Sequence, residues 1–463
     1  MKNLLLGSVA LIVCVGAAKA ADLPRMPVKA PPVPVVSYDW NGFYLGGYYG
    51  DSLGNQKGST DPTAIGGRTG VTNVNQIATT LGLTAGYNWQ FAPHWLVGLE
   101  GDIGYLGINR TNIEFNDITL VGHKADWYGT ARARFGYVTG PSVLYVTGGA
   151  AFVHTRDTFG GNLTTVGPTT STSTITSWTA GGGIETKISR AWSAKTEYLF
   201  IDGGNTVNFL ANPRGIANVP SSFDHNYHVM KAGLNYQFGG ANDEGFFAFL
   251  TAGPMPSDHN WSGFYAGVNV GGGMSLVNAP AMDTIGTTQL NGTGFAGGGQ
   301  VGYNWMNVFG PKWFVGVEGD IGALRIRASM NDWFDTASQF TENTSWYATA
   351  RGRVGTTTGP ALLYFTAGGA WVNFSDGFAP VGVVTGDLSS RTHGGWTVGG
   401  GTEVALDSRW SAKLESLYID VGHTNHQNFP PSTFGADFKE RFQVVRFGLN
   451  YKFGADDVFR RGY

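Results

Sequence analysis

Charged side chains recur at alternate positions in several short segments of the sequence, and that spacing places them on one face of a β-strand. Glu100 and Asp102 form one such pair, and Arg132 and Arg134 form another. Carboxylates that meet guanidinium groups in this way can form a network of charge-assisted hydrogen bonds, or can line a path for ions. The full predicted network comprises Glu100, Asp102, Arg132, Arg134, Glu185, Lys195, Glu197, Lys231, Glu318, Asp320, Arg351, Arg353, Glu403, Lys413, Glu415 and Arg446.

The sequence offers little for nucleophilic or metal chemistry. Its one cysteine, Cys14, lies near the N-terminus, and none of its nine histidines recurs at a matching position in the two halves of the chain. The pairs His225 with His228 and His423 with His426 have a spacing that allows metal ligation, but such pairs in polar loops are usually solvated. We therefore predict no enzymatic activity, no metal site and no cofactor.

The composition indicates an all-β protein. Of 463 residues, 71 are Gly, 13% are aromatic and only 14% are charged, against about 25% charged in ordinary soluble domains. So much Gly disfavours long helices, and so many aromatic side chains disfavour a disordered chain. The net charge of −3 argues against a nucleic-acid partner.

The first 37 residues are predicted to serve export rather than the fold. Residues 1–20 have a basic start, a short apolar run and an Ala-Lys-Ala cleavage site, which are the features of a signal peptide. Val13 disfavours lipidation of Cys14, so the mature chain is expected to lack cysteine and disulfides. Residues 21–37 are rich in proline and are predicted to form an extended tether.

Two copies of one unit, at residues 38–239 and 260–454, make up most of the remaining chain. The segments G-Y-N-W and W-S-A-K, among others, occur once in each copy. Residues 240–259 join the copies, and residues 455–463 form a tail. The apolar run at 246–250 in this linker is expected either to lie in a membrane interface or to pack on a barrel rim.

Each unit is predicted to contain eight antiparallel strands. In the first unit the connections after strands two, four and six are short, whereas the others are long and polar. Short turns on one side and long loops on the other are typical of bacterial outer-membrane proteins. The predicted fold is therefore all-β, a transmembrane antiparallel up-and-down β-barrel. The predicted strands of the first unit lie near residues 40–50, 78–90, 94–106, 125–138, 142–154, 177–188, 191–201 and 227–238.

Alternation along the strands assigns their two faces. From Trp95 to Tyr105 the odd-numbered positions are apolar or glycine, whereas the even-numbered positions include Glu100 and Asp102. A charge that faces lipid costs about 2–4 kcal/mol near the bilayer midplane, so the charges are predicted to face the barrel interior. There they either pair and plug a narrow barrel or line an aqueous path. Aromatic residues are predicted at the membrane interfaces, namely Trp40, Trp95, Trp127, Trp192, Trp261, Trp313, Trp346 and Trp410.

Several motifs resemble those of a known family. The W-[NS]-G-F-Y opening, the G-Y-N-W and V-G-[LV]-E-G-D-I-G segments and the terminal G-L-N-Y-x-F segment are similar to the outer-membrane β-barrel porin family of alphaproteobacteria. These are opacity-type surface antigens with an eight-stranded barrel of the OmpA/OmpX kind. The resemblance implies roles in envelope integrity and surface antigenicity, and in some members small-solute passage or haem binding. The duplication departs from the usual member, which has one unit.

The last strand of each unit also resembles the C-terminal signal that the barrel assembly machinery reads. The resemblance rests on a glycine followed by two aromatic residues at fixed spacing. The residues are Gly233, Tyr236, Phe238, Gly448, Tyr451 and Phe453. Residues 455–463 follow the second motif, so the motif does not stand at the end of the chain.

Two ways of closing the strands are open. Each eight-stranded unit can close on itself, or sixteen strands can close once as a wide pore. The recurrence of the first and eighth strands, together with a linker much longer than a turn, favours two tandem eight-stranded barrels.

The protein is predicted to reside in the outer membrane of a Gram-negative bacterium after signal-peptide export. Its predicted function is structural, in envelope integrity, and small-solute passage stays open. The alternative is a passive diffusion porin with a single sixteen-stranded pore. Predicted partners are outer-membrane lipid, lipopolysaccharide and the barrel assembly machinery, and a homo-oligomer stays open.

Overall fold

The computed structural model describes ten stretches of the chain. The predicted signal peptide, tether and C-terminal tail, and the apolar run in the linker, lie outside these residues. Among the described residues, no helix has the length and apolar character needed to cross a membrane. The described residues are 38–60, 71–113, 119–162, 169–210, 219–238, 259–280, 287–331, 338–380, 390–427 and 435–454.

Eight strands of the first unit form a closed antiparallel barrel. Each strand pairs with its neighbour in sequence, and β1 also pairs with β8, where Tyr48 lies opposite Gly233. The strands are β1 (Gly42–Thr60), β2 (Val71–Ala92), β3 (Trp95–Ile113), β4 (Thr119–Thr139), β5 (Ser142–Asn162), β6 (Thr169–Lys187), β7 (Trp192–Leu210) and β8 (Val219–Gln237).

The second unit closes in the same way, with Asn269 of β9 opposite Gly448 of β17. Its second strand is divided into β10 and β11, which both pair with β9. Asn291 lies at this break, and its side-chain oxygen accepts a hydrogen bond from the backbone N–H of Val277 (2.9 Å). The strands are β9 (Gly263–Pro280), β10 (Thr287–Leu290), β11 (Thr293–Met306), β12 (Trp313–Asn331), β13 (Ser338–Thr357), β14 (Ala361–Pro380), β15 (Arg391–Ala405), β16 (Trp410–Gln427) and β17 (Gly435–Lys452).

The protein is therefore all-β, with two closed antiparallel barrels of eight strand positions each, which confirms the predicted fold. The alternative of a single sixteen-stranded barrel is wrong. In that arrangement the first and eighth strands of a unit would pair with strands of the other unit. Instead β8 returns to β1 and β17 returns to β9.

The strands are longer than the sequence pattern predicted. The first strand was expected to end near residue 50 but reaches Thr60, and the seventh was expected to end near residue 201 but reaches Leu210. These extensions lie on the side of the long connections. Antiparallel pairing satisfies backbone N–H and C=O groups in polar segments as well as in apolar ones, so the ladder continues beyond the apolar part of each strand.

The short turns lie at the opposite end, where side chains satisfy backbone donors. Between β15 and β16 the carboxylate of Asp407 accepts hydrogen bonds from the backbone N–H groups of Trp410 and Arg409, both at 2.7 Å. These two hydrogen bonds hold the pKa of Asp407 below its usual value, and the bond from Trp410 has the larger effect. Ser189 has the same role between β6 and β7, where its hydroxyl accepts from the N–H of Trp192 (3.1 Å).

Glycine at the closing seam of each barrel allows a close approach of the neighbouring strand. Gly50 of β1 lies opposite Lys231, and Gly271 of β9 lies opposite Arg446. A Cβ atom at either glycine would lie 2.0 Å from a backbone carbonyl oxygen of the next strand. Any larger residue at these two positions would therefore force the seam apart.

Because each unit closes on itself, cutting the linker should leave two folded barrels. We expect that a protease site inserted within residues 240–258, once cleaved in refolded protein, gives two fragments that both keep the faster migration of folded barrels in unheated gels. Heated samples of the same digest provide the control. A cleaved protein that loses this migration in both fragments together would contradict separate closure.

Candidate functional site

A buried ion network fills the middle of the first barrel, and Arg132 lies at its centre. The guanidinium group of Arg132 donates to the carboxylates of Glu100 and Asp102, both at 2.5 Å, and of Glu197 at 2.7 Å. The side chains of Arg132, Asp102 and Glu197 have no exposed surface. These three carboxylates, together with the Thr130 hydroxyl that accepts from Nε at 3.1 Å, engage most of the N–H donors of Arg132 and leave it little freedom.

A second arginine extends the network toward the inner end of the barrel. Arg134 donates to Glu185 at 2.8 Å, and its guanidinium carbon lies 4.0 Å from the centre of the Tyr145 ring. Glu185 also accepts hydrogen bonds from Ser193 (2.6 Å) and Asn235 (2.7 Å). These contacts combine charge, stacking and neutral donors, so the buried carboxylate of Glu185 is held on several sides.

Two lysines complete the charge balance. Lys195 lies 2.8 Å from Glu100, and Lys231 lies 2.6 Å from Asp102. Among the described residues of this network, four carboxylates therefore face four cations. Strand register explains the placement, because Glu100 lies opposite Arg132 and Glu197 lies opposite Lys231 in the ladders.

The second barrel repeats the network with one change. Arg351 contacts Asp320 at 2.8 Å and Glu415 at 3.0 Å, as Arg132 does with the matching residues of the first barrel. Arg446 stands where the first barrel has Lys231. Its longer forked side chain joins Asp320 (2.9 Å) to Glu415 (2.6 Å). The remaining sequence-predicted members are also buried and paired, with Arg353 bound to Glu318 and Glu403 and Lys413 bound to Glu318.

Apolar layers lie inside each barrel on both sides of the network. In the first barrel Trp40, Leu96 and Val143 pack together toward the short turns. On the other side Leu106, Leu199 and other inward-facing residues form a second layer. The second barrel has the matching layers, which include Trp261 with Phe314 and Leu324 with Phe442. The sequence pattern did not predict these layers. Leu96 and Glu100 lie an even number of positions apart along β3, so both side chains face inward.

The predicted interface tryptophans divide into two groups. Five of them face outward with between 36% and 46% of their surface exposed, namely Trp95, Trp127, Trp313, Trp346 and Trp410. The placement of Trp40 and Trp261 at the interface is wrong, because both precede the first strand of their barrel and pack inside it. The Trp261 indole N–H donates to the carbonyl of Gly359 at 2.7 Å. Trp192 is buried as well, with its ring 5.3 Å from that of Tyr236.

The residues of the proposed assembly motif lie near the inner end of the last strand of each barrel. Tyr236 and Phe238 stack edge-to-face at 5.1 Å, and Tyr451 and Phe453 do so at 5.3 Å. Phe238 and Phe453 are exposed. Gly233 and Gly448 lie opposite Tyr48 and Asn269 at the closing seams.

Of the two histidine pairs considered from the sequence, His225 and His228 do not come together. His225 is buried in the barrel, whereas His228, three positions along the same strand, lies on the other face and contacts the hydroxyl of Tyr198 at 2.7 Å. His225 instead meets His123 and Asp157. The side chain of His426 lies outside the described residues.

Comparison with known proteins identifies relatives of about half the length of the chain. The 31 kDa outer-membrane immunogenic protein of Brucella melitensis is 31% identical over 252 residues, which are 51% of this chain and 100% of the relative. The 22 kDa outer membrane protein of Rhizobium leguminosarum is 32% identical over 204 residues, 43% of this chain and 82% of the relative. The crystal structure of Neisserial surface protein A aligns with 42% of this chain and 97% of that chain, at 14% identity and a TM-score of 0.23.

A single family profile accounts for both units. The profile described as "Outer membrane protein beta-barrel domain" matches residues 7–238 and again residues 245–453. The two matches together cover most of the chain, one for each closed barrel. The relatives are named as outer-membrane proteins, and the Brucella relative is also named as immunogenic. The chain therefore belongs to the outer membrane protein β-barrel family and resides in the Gram-negative outer membrane.

Proposed function

We propose that this protein is a structural, non-enzymatic component of the outer membrane that supports envelope integrity and carries loops on the cell surface. The observation that supports this role is the filled interior. Arg132 and Arg351 each hold three carboxylates across the middle of a barrel, between two apolar layers. An eight-stranded barrel is just wide enough for side chains to fill, so such a network acts as a plug.

Passage of small solutes would require this network to open. Separating Arg132 from its carboxylates leaves buried charges without partners, which costs several kcal/mol per ion. The apolar layers add a second barrier, because a solute or ion must also cross side chains such as Leu96 and Leu106. We therefore favour the plug over the aqueous path for both barrels.

The outer surface supports lipid as the principal partner. Leu99 and Ile103 of β3 are 69% and 63% exposed, and Trp95 and Tyr105 flank them at the two ends. An apolar band between aromatic residues matches the hydrocarbon core and its two interfaces. We propose that this surface contacts outer-membrane lipid and lipopolysaccharide, and that β8 and β17 present their aromatic residues to the barrel assembly machinery.

The plug predicts that refolded protein forms no stable channels in planar lipid bilayers. We expect single-channel recordings to show no steps of nanosiemens size, whereas a sixteen-stranded porin recorded in the same bilayers provides the positive control. Stable steps of that size would contradict a plugged barrel and would favour passive diffusion of solutes through the protein.

The network also predicts a large loss of stability when one buried charge is removed. Glu197→Gln removes one of the carboxylates that Arg132 (2.7 Å) and Lys231 (3.2 Å) contact. We expect the free energy of unfolding to fall by about 3–5 kcal/mol. Urea titration of protein refolded into lipid vesicles measures this.

A matched control removes a charge from a partly exposed pair. Asp126 contacts Lys124 at 2.9 Å, with the two side chains 26% and 34% exposed. Asp126→Asn should cost less than about 1 kcal/mol. Equal losses for the two variants would show that the interior carboxylate is not held by its partners.

A further inference from the structure

Two histidines and an aspartate meet inside the outer end of the first barrel. His123 of β4 lies directly opposite Asp157 of β5, and His225 of β8 lies opposite Gln56 of β1. All four side chains are at least 96% buried. On β4, His123 is four residues closer than Trp127 to the end of the strand that leads into a long connection. Trp127 marks the outer aromatic girdle, so the cluster lies on the extracellular side of the apolar band.

The donor atoms of the cluster converge. His123 Nδ1 lies 2.8 Å from Asp157 Oδ1, and His225 Nε2 lies 3.4 Å from Asp157 Oδ2. The ligand atoms of the three residues all lie within 4.8 Å of one another. Metal–ligand bonds of about 2.0–2.2 Å in a tetrahedral site place neighbouring donors roughly 3.3 Å apart. The observed separations bracket that value, so small side-chain rotations suffice to bring the three donors around one ion.

We propose that His123, Asp157 and His225 bind a divalent transition-metal ion, with Zn²⁺ as the best match. Two imidazole nitrogens and one carboxylate oxygen form a donor set that suits Zn²⁺ better than Mg²⁺ or Ca²⁺, which prefer oxygen ligands. A water molecule or the hydroxyl of Thr206, which lies 3.0 Å from His225 Nε2, completes four ligands.

The surroundings of the cluster match those of a metal site. The second ring nitrogen of His123, Nε2, lies 3.0 Å from the hydroxyl of Tyr227, and Gln56 Nε2 donates to Asp157 at 2.9 Å. Metal-binding histidines and carboxylates usually carry such outer hydrogen bonds, which orient the ligands. Two buried polar atoms at the cluster, Gln56 Oε1 and His225 Nδ1, have no hydrogen-bond partner among the described residues.

The second barrel shows that closure of the fold does not require this donor set. Glu342 and Glu440 occupy the positions of His123 and His225, and both are buried. In the strand ladder the backbone of Glu342 lies opposite Asp376, as that of His123 lies opposite Asp157. At these two positions the first barrel has imidazole donors and the second has carboxylates, so the proposed zinc site belongs to the first barrel.

The carboxylates of Glu100, Asp102 and Glu197 also converge, but they do not form a competing site. The guanidinium group of Arg132 already lies among them and donates to all three. A cation would have to displace this arginine from a fully buried position.

Titration of untagged, refolded full-length mature protein with Zn²⁺ tests the proposal. We expect saturable binding of one ion to this site, and a dissociation constant that rises more than about 100-fold in His123→Ala and in His225→Ala. His228→Ala is the matched control, because His228 is on the same strand but faces away from the cluster, and it should bind as the parent does. Binding that is absent in the parent, or unchanged in both cluster variants, would overturn the proposal.

A second measurement on the parent protein covers the case in which a variant fails to fold, as judged by its gel migration before and after heating. X-ray absorption of the Zn²⁺-loaded parent should show two imidazole nitrogens among about four ligands at about 2.0–2.2 Å. A shell of oxygen ligands alone would contradict the assignment.

Discussion

Charges that face the interior of a lipid-embedded barrel need partners of opposite charge. Lipid surrounds the outer face, so the strands turn their ionic side chains inward, where water is excluded by apolar layers. Under these conditions an unpaired charge is costly, and Arg132 with its three carboxylates meets the requirement. Glycines opposite the long cations, such as Gly50 opposite Lys231, let the neighbouring strand approach closely at the closing seam.

The duplication shows which features the fold requires and which are free to change. The ion network recurs in both barrels, and the exchange of Lys231 for Arg446 keeps its charge while changing its hydrogen bonds. Outside the apolar band the two copies differ in chemistry, with His123 in one and Glu342 in the other. A position that can carry either side chain is not fixed by closure, so the chemistry at this level can differ between the two barrels.

Much of the fold was predictable because a membrane strand has a strict period of two. The alternation around Leu99 and Glu100 assigned the two faces, and the short turns separated the strands. The two-residue alternation does not show that inward apolar side chains pack into layers, so the layers around Leu96 and Leu106 were not predicted. Trp40 and Trp261 precede their strands, where the period gives no orientation, and both were placed wrongly. The His123–Asp157–His225 cluster joins strands that are far apart in sequence, and only closure of the barrel brings them together.

Solid-state NMR in lipid bilayers can show whether paired charges seal each barrel. Protein with ¹⁵N-labelled arginine and ¹³C-labelled Glu and Asp carboxylates reports the distances between guanidinium nitrogens and carboxylate carbons. If the charges are paired, we expect strong dipolar couplings for Arg132 and Arg351, and guanidinium protons that exchange slowly with water. Weak couplings together with rapid exchange at both arginines would mean hydrated, unpaired charges, and the ion network would then not seal the barrels.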